Sequence, residues 1–559
     1  MLEEECNTAM KQWQYKWQVV ASVIFGTFMV IMDATVVNVA LPTLRSVFTS
    51  SGQASIDQVQ WVISGFVLAI GIVTPMAGLL ADRFGIKRVY LLSLFGFTVA
   101  SALCGLAPNL PLLIVFRVLQ GLAGGSALPL GTALLFSAFP PEERGLAFGV
   151  FGIPLVAAPA LGPVIGGALV EYANWRYIFF VNVPIGLLGV GIGWWLLSES
   201  KREDHVPIDY IGAALAIIAF GGVLYGLSNG APESNAGSGA ATVTTSGGWG
   251  SWQVITALSV GGLFLIVFII WELLKKDDAL LDVRLFARPT FTIANIIGWI
   301  SVTAFFGAEF LLPLYLQVLR GLTPLQTGLL LLPLAISSGI LSPFIGRIQD
   351  KIGPRLLVAF GFGLLIINTW QLSLLTLDES YGYIAFLLVL RGVALAFVLQ
   401  PTLLAGLSGI PPRALPRASS LVNSSRSIFQ SLGIAILATI LTSTTTTQLS
   451  GFQPPKPASV PPPPDYQQTV QQALADAFHH AFLSGLSNAY FLTFVVAAAA
   501  SLIALFLPGW PLNWKKPASA AQVEAQGIPA MQDPGASVPE VAAAPQKAED
   551  YGAQAAPEP

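Results

Sequence analysis

The sequence predicts an all-α polytopic membrane protein of fourteen spans, built as two repeated halves. Three observations carry that prediction. Hydrophobic residues make up 54% of the chain and charged residues 10%, with a mean hydropathy of +0.70. A soluble domain carries roughly 25% charged residues, so the excess apolar side chains need lipid as their solvent. Apolar stretches of about 20 residues, the length that crosses a bilayer, recur along most of the chain. Finally, two charged turns share one spacing of Gly, Asp and Gly, 268 residues apart. They are Gly78-Leu-Leu-Ala-Asp82-Arg83-Phe-Gly85-Ile-Lys87-Arg88 and Gly346-Arg-Ile-Gln-Asp350-Lys351-Ile-Gly353-Pro-Arg355. Internal repeats in a membrane chain point to a transporter with its pathway between the halves.

Residues 1–16 read as a polar N-terminal tail. Six spans follow at 17–41, 58–80, 89–107, 111–138, 145–170 and 177–197, making a first bundle over 17–200. The first is too long for a signal-peptide core and reads as a retained span. Spans at 209–228 and 252–274, with their connectors over 201–290, read as an insertion between the halves. The second bundle, 291–510, takes spans at 291–317, 326–346, 355–376, 383–407, 419–442 and 489–508. Internal Gly and Pro are compatible with membrane helices. Residues 229–251 read as a flexible outer loop, and 443–488 as an outer insert with a Thr run and a Pro-rich stretch. At its end Ala473, Leu474, Ala477, Phe478, Ala481, Phe482 and Leu486 recur at helical spacing, as an interfacial helix or a hairpin arm would. Residues 511–559 are rich in Ala, Pro, Gln and Glu and read as a disordered tail.

Basic residues set the expected orientation. With the N-terminus inside, 20 of the 27 Lys and Arg fall on the cytoplasmic side, four outside, and Arg117, Arg391 and Arg426 within spans. Both termini are then cytoplasmic. A net charge of −3 gives no reason to expect a nucleic-acid partner. Cys6 and Cys104 are the only cysteines, no metal-ligand spacing exists, and all three histidines lie outside the spans. No phosphate-binding loop is present. An enzyme, a metal centre, a cofactor and ATP as energy source are therefore not expected.

Acidic residues deep in membrane spans are costly and need a reason. Asp33 has apolar neighbours at i±3 and i±4 on its own helix, so its partner must come from elsewhere. At 1.5 Å per residue, Asp33 lies roughly 12 Å from the outer end of the first span and Arg117 roughly 9 Å below the outer start of the fourth, so their depths agree. Glu309 in the ninth span and Arg391 in the twelfth repeat the arrangement if spans 7 and 8 are an insertion. Exchange of the arginine for water or substrate alters a carboxylate's proton affinity, which would suffice for proton coupling; the alternative is that the pairs merely lock helices together. In the fifth span Ala158, Gly162 and Gly166 form a smooth stripe beside Pro163 and Gly167, suited to close approach of a second helix. Asp82 and Asp350 stand at span ends, where a carboxylate can dock on a basic residue or a helix N-terminus as part of a gate.

Together with Met32-Asp33-Ala-Thr-Val-Val-Asn38-Val-Ala-Leu-Pro42, Arg117-Val-Leu-Gln120-Gly121 and Asn174-Trp175-Arg176-Tyr177-Ile-Phe-Phe-Val-Asn182-Val-Pro184-Ile-Gly186, the first charged turn resembles the major facilitator superfamily. Over roughly 15–510 the chain is similar to its fourteen-helix drug:proton antiporters of EmrB/QacA type. The resemblance implies two six-helix bundles related by pseudo-twofold symmetry plus two inserted helices, in the inner membrane of a cell. It implies export of amphipathic or cationic small molecules (multidrug efflux, antibiotic resistance), driven by protons. Asp33 would be the proton site, Arg117 its assistant, the stripe of the fifth span the antiporter motif, and Asp82 part of a cytoplasmic latch. Ile86 and Pro354 replace the signature's usual basic residue, leaving Lys87 or Arg88 as candidate latch partners. Asn38, Trp299, Phe305 and Phe306 are candidate cavity residues, and a periplasmic adaptor is a candidate partner. The runner-up is a dedicated exporter of one endogenous compound such as a lipid, fatty acid or siderophore, and a nontransporting sensor is a third reading.

Overall fold

A computed structural model of the chain describes residues 2–50, 56–198, 209–230, 248–275, 279–453 and 466–507. The tail reading of 511–559, most of the loop at 229–251 and the Pro-rich part of the outer insert lie outside the described residues. Among those described, fourteen segments are long and apolar enough to cross a membrane. They are span 1 (Gln14–Leu41), span 2 (Gln58–Phe84), span 3 (Ile86–Leu106), span 4 (Leu110–Ala138), span 5 (Pro141–Tyr172), span 6 (Tyr177–Leu196), span 7 (Tyr210–Gly230) and span 8 (Trp252–Lys275). Then come span 9 (Pro289–Leu319), span 10 (Pro324–Ile352), span 11 (Pro354–Ser373), span 12 (Tyr381–Leu407), span 13 (Pro412–Ser450) and span 14 (Tyr466–Ala504).

The helix boundaries follow from local chemistry. Asn109 caps span 4 by accepting from the Leu112 amide at 3.0 Å, and Ser380 caps span 12 from Tyr383 at 3.2 Å. Thr323 and Gln326 cap span 10 reciprocally, each side chain bonded to the other's backbone amide. The two charged turns owe their second glycine to backbone geometry: Gly85 has φ 89° and Gly353 φ 81°, a region that side chains disfavour. Each ends one span and opens the next.

Among the described residues, spans 2, 4 and 6 are interrupted, span 6 at Val181 between Tyr177–Phe180 and Asn182–Leu196. Span 2 passes through a 3₁₀ turn at Thr74–Met76, and span 4 is interrupted between Gly124 and Ala127. These two breaks meet, because the Thr74 hydroxyl donates to the Gly125 carbonyl at 3.1 Å. Span 5, by contrast, stays helical through Pro154, Pro159 and Pro163.

The structure adds detail at two places. The helix of span 1 begins at Leu2, so the described part of the N-terminal tail is helical and continues into the span. The outer insert is largely helical too: one helix runs Leu415–Ser450 and the next Tyr466–Ala504. Thr442 and Thr445 donate to the carbonyls one turn back, at 2.8 and 2.7 Å, a bond that does not itself favour helix, so packing carries the Thr run. Phe482 and Leu486 are buried, and Gly485 lies against the Leu441 carbonyl. These residues form hairpin arms rather than a helix lying on the surface.

The face bearing both charged turns is welded shut. There one apolar core draws Leu130, Leu134 and Phe148 from the first half together with Leu403, Leu407, Leu415 and Val422 from the second. Towards the opposite face the cores divide. Val36, Val37, Val62 and Phe179 form one within the first half. Phe362, Leu387 and Leu486 anchor another in the second half, joined by Val156 and Ala160 of span 5. Span 5 packs along span 10, whereas spans 1 and 4 build no extended interface with spans 9 and 12 among the described residues.

Candidate functional site

Asp33 is fully buried, with no solvent exposure. Its Oδ2 receives Nη1 of Arg117 at 2.5 Å. Its Oδ1 receives two side-chain amides, Nδ2 of Asn182 at 2.6 Å and Nε2 of Gln120 at 3.1 Å. Spans 1, 4 and 6 thereby converge on one carboxylate. Arg117 spends its remaining donors well: Nε on the Val62 carbonyl at 2.9 Å and Nη1 also on Oε1 of Gln120 at 2.8 Å. The Phe66 ring lies 3.9 Å from the guanidinium carbon, close enough for a cation–π contact. Asn182 donates to Ser101 at 3.1 Å, which donates to the Phe179 carbonyl at 2.9 Å, tying in span 3. An ion pair taken out of water needs such a network, since desolvation otherwise exceeds the Coulombic gain; within it Oδ1 of Asn182 is left without a partner.

The depth estimate thus places Asp33 and Arg117 together. It did not single out Gln120, Asn182 or Ser101, whose neutral groups carry no charge signal. One clue was present, because Gln120 follows Arg117 by three residues and shares its helix face.

The second half is looser. Nε of Arg391 stands 3.9 Å from Oε2 of Glu309, whose side chain is 20% exposed. Arg391 donates instead to the Phe305 carbonyl at 3.3 Å and to Oδ1 of Asn368 at 3.4 Å. The residues meet, but not as a copy of the first pair. Among the candidate cavity residues, Asn38 is exposed and Trp299 and Phe306 are partly exposed. Phe305 is corrected: at 3% exposure it sits in the core beside Arg391 and offers no cavity surface.

The two charged turns dock by different chemistry. Oδ2 of Asp82 accepts from Nε of Arg417 in span 13 at 2.6 Å, and Gly78 lies against the Arg417 backbone. Arg417 therefore stands where Lys87 or Arg88 had been expected. Lys87 instead donates to the carbonyls of Trp194, at 3.1 Å, and Leu197 at the end of span 6, while the Arg83 guanidinium lies 5.8 Å from the Phe84 ring. Asp350 accepts from the backbone amides of Gly145 and Leu146 at 2.7 and 3.2 Å. Both contacts bridge the two halves.

Span 5 is wedged between span 1 and span 10. Its stripe faces span 1: Gly162 lies against Thr35 and Val36, and Gly166 against the Val36 carbonyl, within three residues of Asp33. Ala158 is fully buried in the same core. On the other side Gly145 meets Gly346, Gly149 meets Ser342 and Gly167 meets Leu325, while Gly328 of span 10 meets Pro163 and Val164. Span 5 therefore touches span 1 on one side and the backbone of span 10 on the other.

A family model described as Major Facilitator Superfamily matches residues 23–434. The chain is 35% identical over 420 residues to the multidrug export protein EmrB of Escherichia coli (strain K12), covering 75% of this chain and 78% of that one. It is 32% identical over 464 residues to the MFS-type transporter YhcA of Bacillus subtilis (strain 168), covering 83% and 81%. A solved structure of the xylose transporter XylE from E. coli superposes with a TM-score of 0.53 at 14% identity, covering 89% of this chain and 98% of that one, a likeness of fold alone. With fourteen spans and a family match over most of its length, this chain belongs to the major facilitator superfamily of membrane transporters.

Proposed function

We propose that the protein is a proton-coupled antiporter that exports amphipathic small molecules, a multidrug efflux pump working by alternating access in the inner membrane. The face with the charged turns is turned to the cytoplasm, in accord with its surplus of Lys and Arg, and both termini lie there. Relatives named for multidrug export and lincomycin resistance support efflux as the direction of transport. The proton gradient supplies the energy, without a cofactor.

The observation that carries the proposal is the sealed Asp33–Arg117 pair. Protonation of Asp33 removes the charge that holds Nη1 of Arg117. When the carboxylate turns neutral the guanidinium keeps the Val62 carbonyl and Oε1 of Gln120 as acceptors but loses its counter-charge, which favours a rearrangement of the site. Span 1 is then free to move against spans 4 and 6, and the Gly162–Gly166 stripe passes the movement through span 5 to span 10. Release of Asp82 from Arg417 and of Asp350 from span 5 opens the cytoplasmic face. Glu309 and Arg391 act as a second, more accessible pair.

The test is uptake of ethidium into inverted vesicles under an imposed pH gradient, with Asp33→Asn beside the parent. The parent should accumulate the dye when the gradient is present and lose it on collapse, and Asp33→Asn should not accumulate it despite normal membrane expression. Parent uptake that ignores the gradient would refute proton coupling.

A further inference from the structure

Three arginines lie deep within spans, and two of them face a carboxylate: Arg117 at 2.5 Å and Arg391 at 3.9 Å. The third, Arg426, does not. It sits eleven residues into the helix of span 13, about 16 Å from its start. Its Nε is buried without a hydrogen-bond partner, and among the described residues no ion pair or ring contact engages its guanidinium. Span 13 contains no acidic residue, and span 9 beside it contains only Glu309. Glu309 lies eleven residues beyond Gly298, the contact point of Arg426, and faces Arg391 instead. A guanidinium stays charged under all ordinary conditions. Holding one inside a span without a counter-charge is costly, which points to a functional role.

Its surroundings are those of a binding site. Gly298 of span 9 leaves room for the guanidinium: a Cβ there would lie 3.1 Å from Nη2 and 3.3 Å from Nε. One helical turn along from Arg426, Phe429 stacks on Trp299 with ring centroids 4.7 Å apart and planes 8° from parallel. Phe286 extends this wall, its ring 5.7 Å from Trp299. The one polar atom of Trp299, Nε1, is already bonded to Ser425 at 2.9 Å, so the wall presents carbon. Arg426, Trp299 and Phe429 are all partly exposed. A flat apolar surface beside an uncompensated fork of N–H donors is complementary to an aromatic or alicyclic body bearing one anionic group.

We propose that Arg426 recognises the charge of the transported compound, and that the substrates held at this subsite are amphipathic organic anions carrying a carboxylate, sulfonate or phosphate. This narrows, and rests on, the exporter proposal above. At this subsite anions are preferred to cations, because a cation stacked on Trp299 and Phe429 meets a positive charge within one turn; cationic compounds such as ethidium are carried without using Arg426.

The full chain is purified and reconstituted in phosphatidylcholine vesicles. Binding and gradient-driven transport of 1-anilinonaphthalene-8-sulfonate and of ethidium are compared for the parent, Arg426→Gln and Arg426→Lys. Arg426→Gln should weaken sulfonate binding about tenfold to a hundredfold and leave ethidium within about twofold, and Arg426→Lys should restore part of the loss. Sulfonate affinity unchanged in Arg426→Gln overturns the proposal. So does equal loss of both probes without rescue by lysine, which makes Arg426 a structural residue. Adding phosphatidylglycerol separates the remaining source of an anion: parent sulfonate binding suppressed by that lipid, with lipid retention lost in Arg426→Gln, assigns the site to a headgroup and overturns a transported substrate. A parent that binds the sulfonate but moves neither probe under a gradient sinks the exporter proposal while leaving the anion site standing; a parent that exports ethidium and ignores the sulfonate does the reverse.

Discussion

The carboxylate of Asp350 caps the start of span 5 by accepting the Gly145 amide at 2.7 Å, while its repeat counterpart Asp82 holds a guanidinium, Nε of Arg417, at 2.6 Å. One sequence pattern thus closes the same face twice through two kinds of positive partner. A helix N-terminus offers about half a charge from its unpaired amides; Arg417 offers a full one in a part-buried setting, with side chains 14% and 12% exposed.

The difference ranks two substitutions. Asp82→Asn exchanges a charge-assisted bond worth about 1.5–3 kcal/mol for a neutral one. Asp350→Asn gives up a helix-end interaction worth about 0.3–2 kcal/mol and the longer of its two bonds, to the Leu146 amide at 3.2 Å, while its remaining oxygen can still accept from Gly145. Asp82→Asn should therefore open the loop face more often. A cysteine placed at Ser342, which is 3% exposed against span 5, reports on this through its rate of labelling by a membrane-impermeant maleimide. Faster labelling in Asp350→Asn than in Asp82→Asn would contradict the ranking.

Gly346 and Gly145 meet backbone to backbone, with no space for a Cβ on Gly346. Gly346→Ala should push spans 5 and 10 apart and abolish transport while the protein still inserts. Gly191 in span 6 has nothing within 4 Å of its would-be Cβ. Gly191→Ala should leave transport intact and stabilise the helix by about 0.5–1 kcal/mol. Vesicle uptake and the thermal midpoint in detergent, measured side by side, separate steric from propensity effects.

Asp33 and Arg117 should show strong coupling in a double-mutant cycle. Asp33→Asn alone leaves a buried guanidinium without its counter-charge, a loss of about 3–5 kcal/mol. Adding Arg117→Gln removes that charge and should recover part of the thermal stability, though not transport. Glu309→Gln should be milder on stability, because Arg391 already donates to Phe305 and Asn368. Strictly additive losses at Asp33 and Arg117 would mean that the pair is not an energetic unit.

What could be read from sequence was what a one-dimensional count preserves. The apolar runs gave the spans, and the rise per residue matched Asp33 to Arg117 in depth. The second glycine of each turn is written in the chain because only backbone geometry demands it. Contacts set by packing were not legible. Arg417 lies 335 residues from Asp82, near the start of span 13, while Lys87 and Arg88 stand much closer in sequence. Gln120 and Asn182 are neutral and look like any polar residue in a motif. Arg426 was visible as a charge within a span, but its lack of a partner is a three-dimensional fact. The Thr run of the outer insert has poor helix propensity, and packing on span 14, with Gly485 against the Leu441 carbonyl, overrides that preference.

Glu272 allows a last prediction, on the inserted spans. It is 1% exposed near the end of span 8, and its Oε2 accepts the Leu281 amide at 2.9 Å, fixing the connector that leads to span 9. Its Oε1 has no hydrogen-bond partner among the described residues and lies beside Gly212, as does Oδ2 of Asp209, which Trp271 holds at 2.8 Å. Two carboxylates so near one another repel when both are charged, whereas an amide oxygen at 272 keeps the bond to Leu281 without the charge. Glu272→Gln should therefore be neutral or raise the thermal midpoint. Glu272→Leu, of similar bulk, leaves the Leu281 amide buried without an acceptor and should lower stability by about 1–3 kcal/mol. Equal damage from both would mean that the negative charge itself, through the nearby Arg417, holds spans 7 and 8 against the gate.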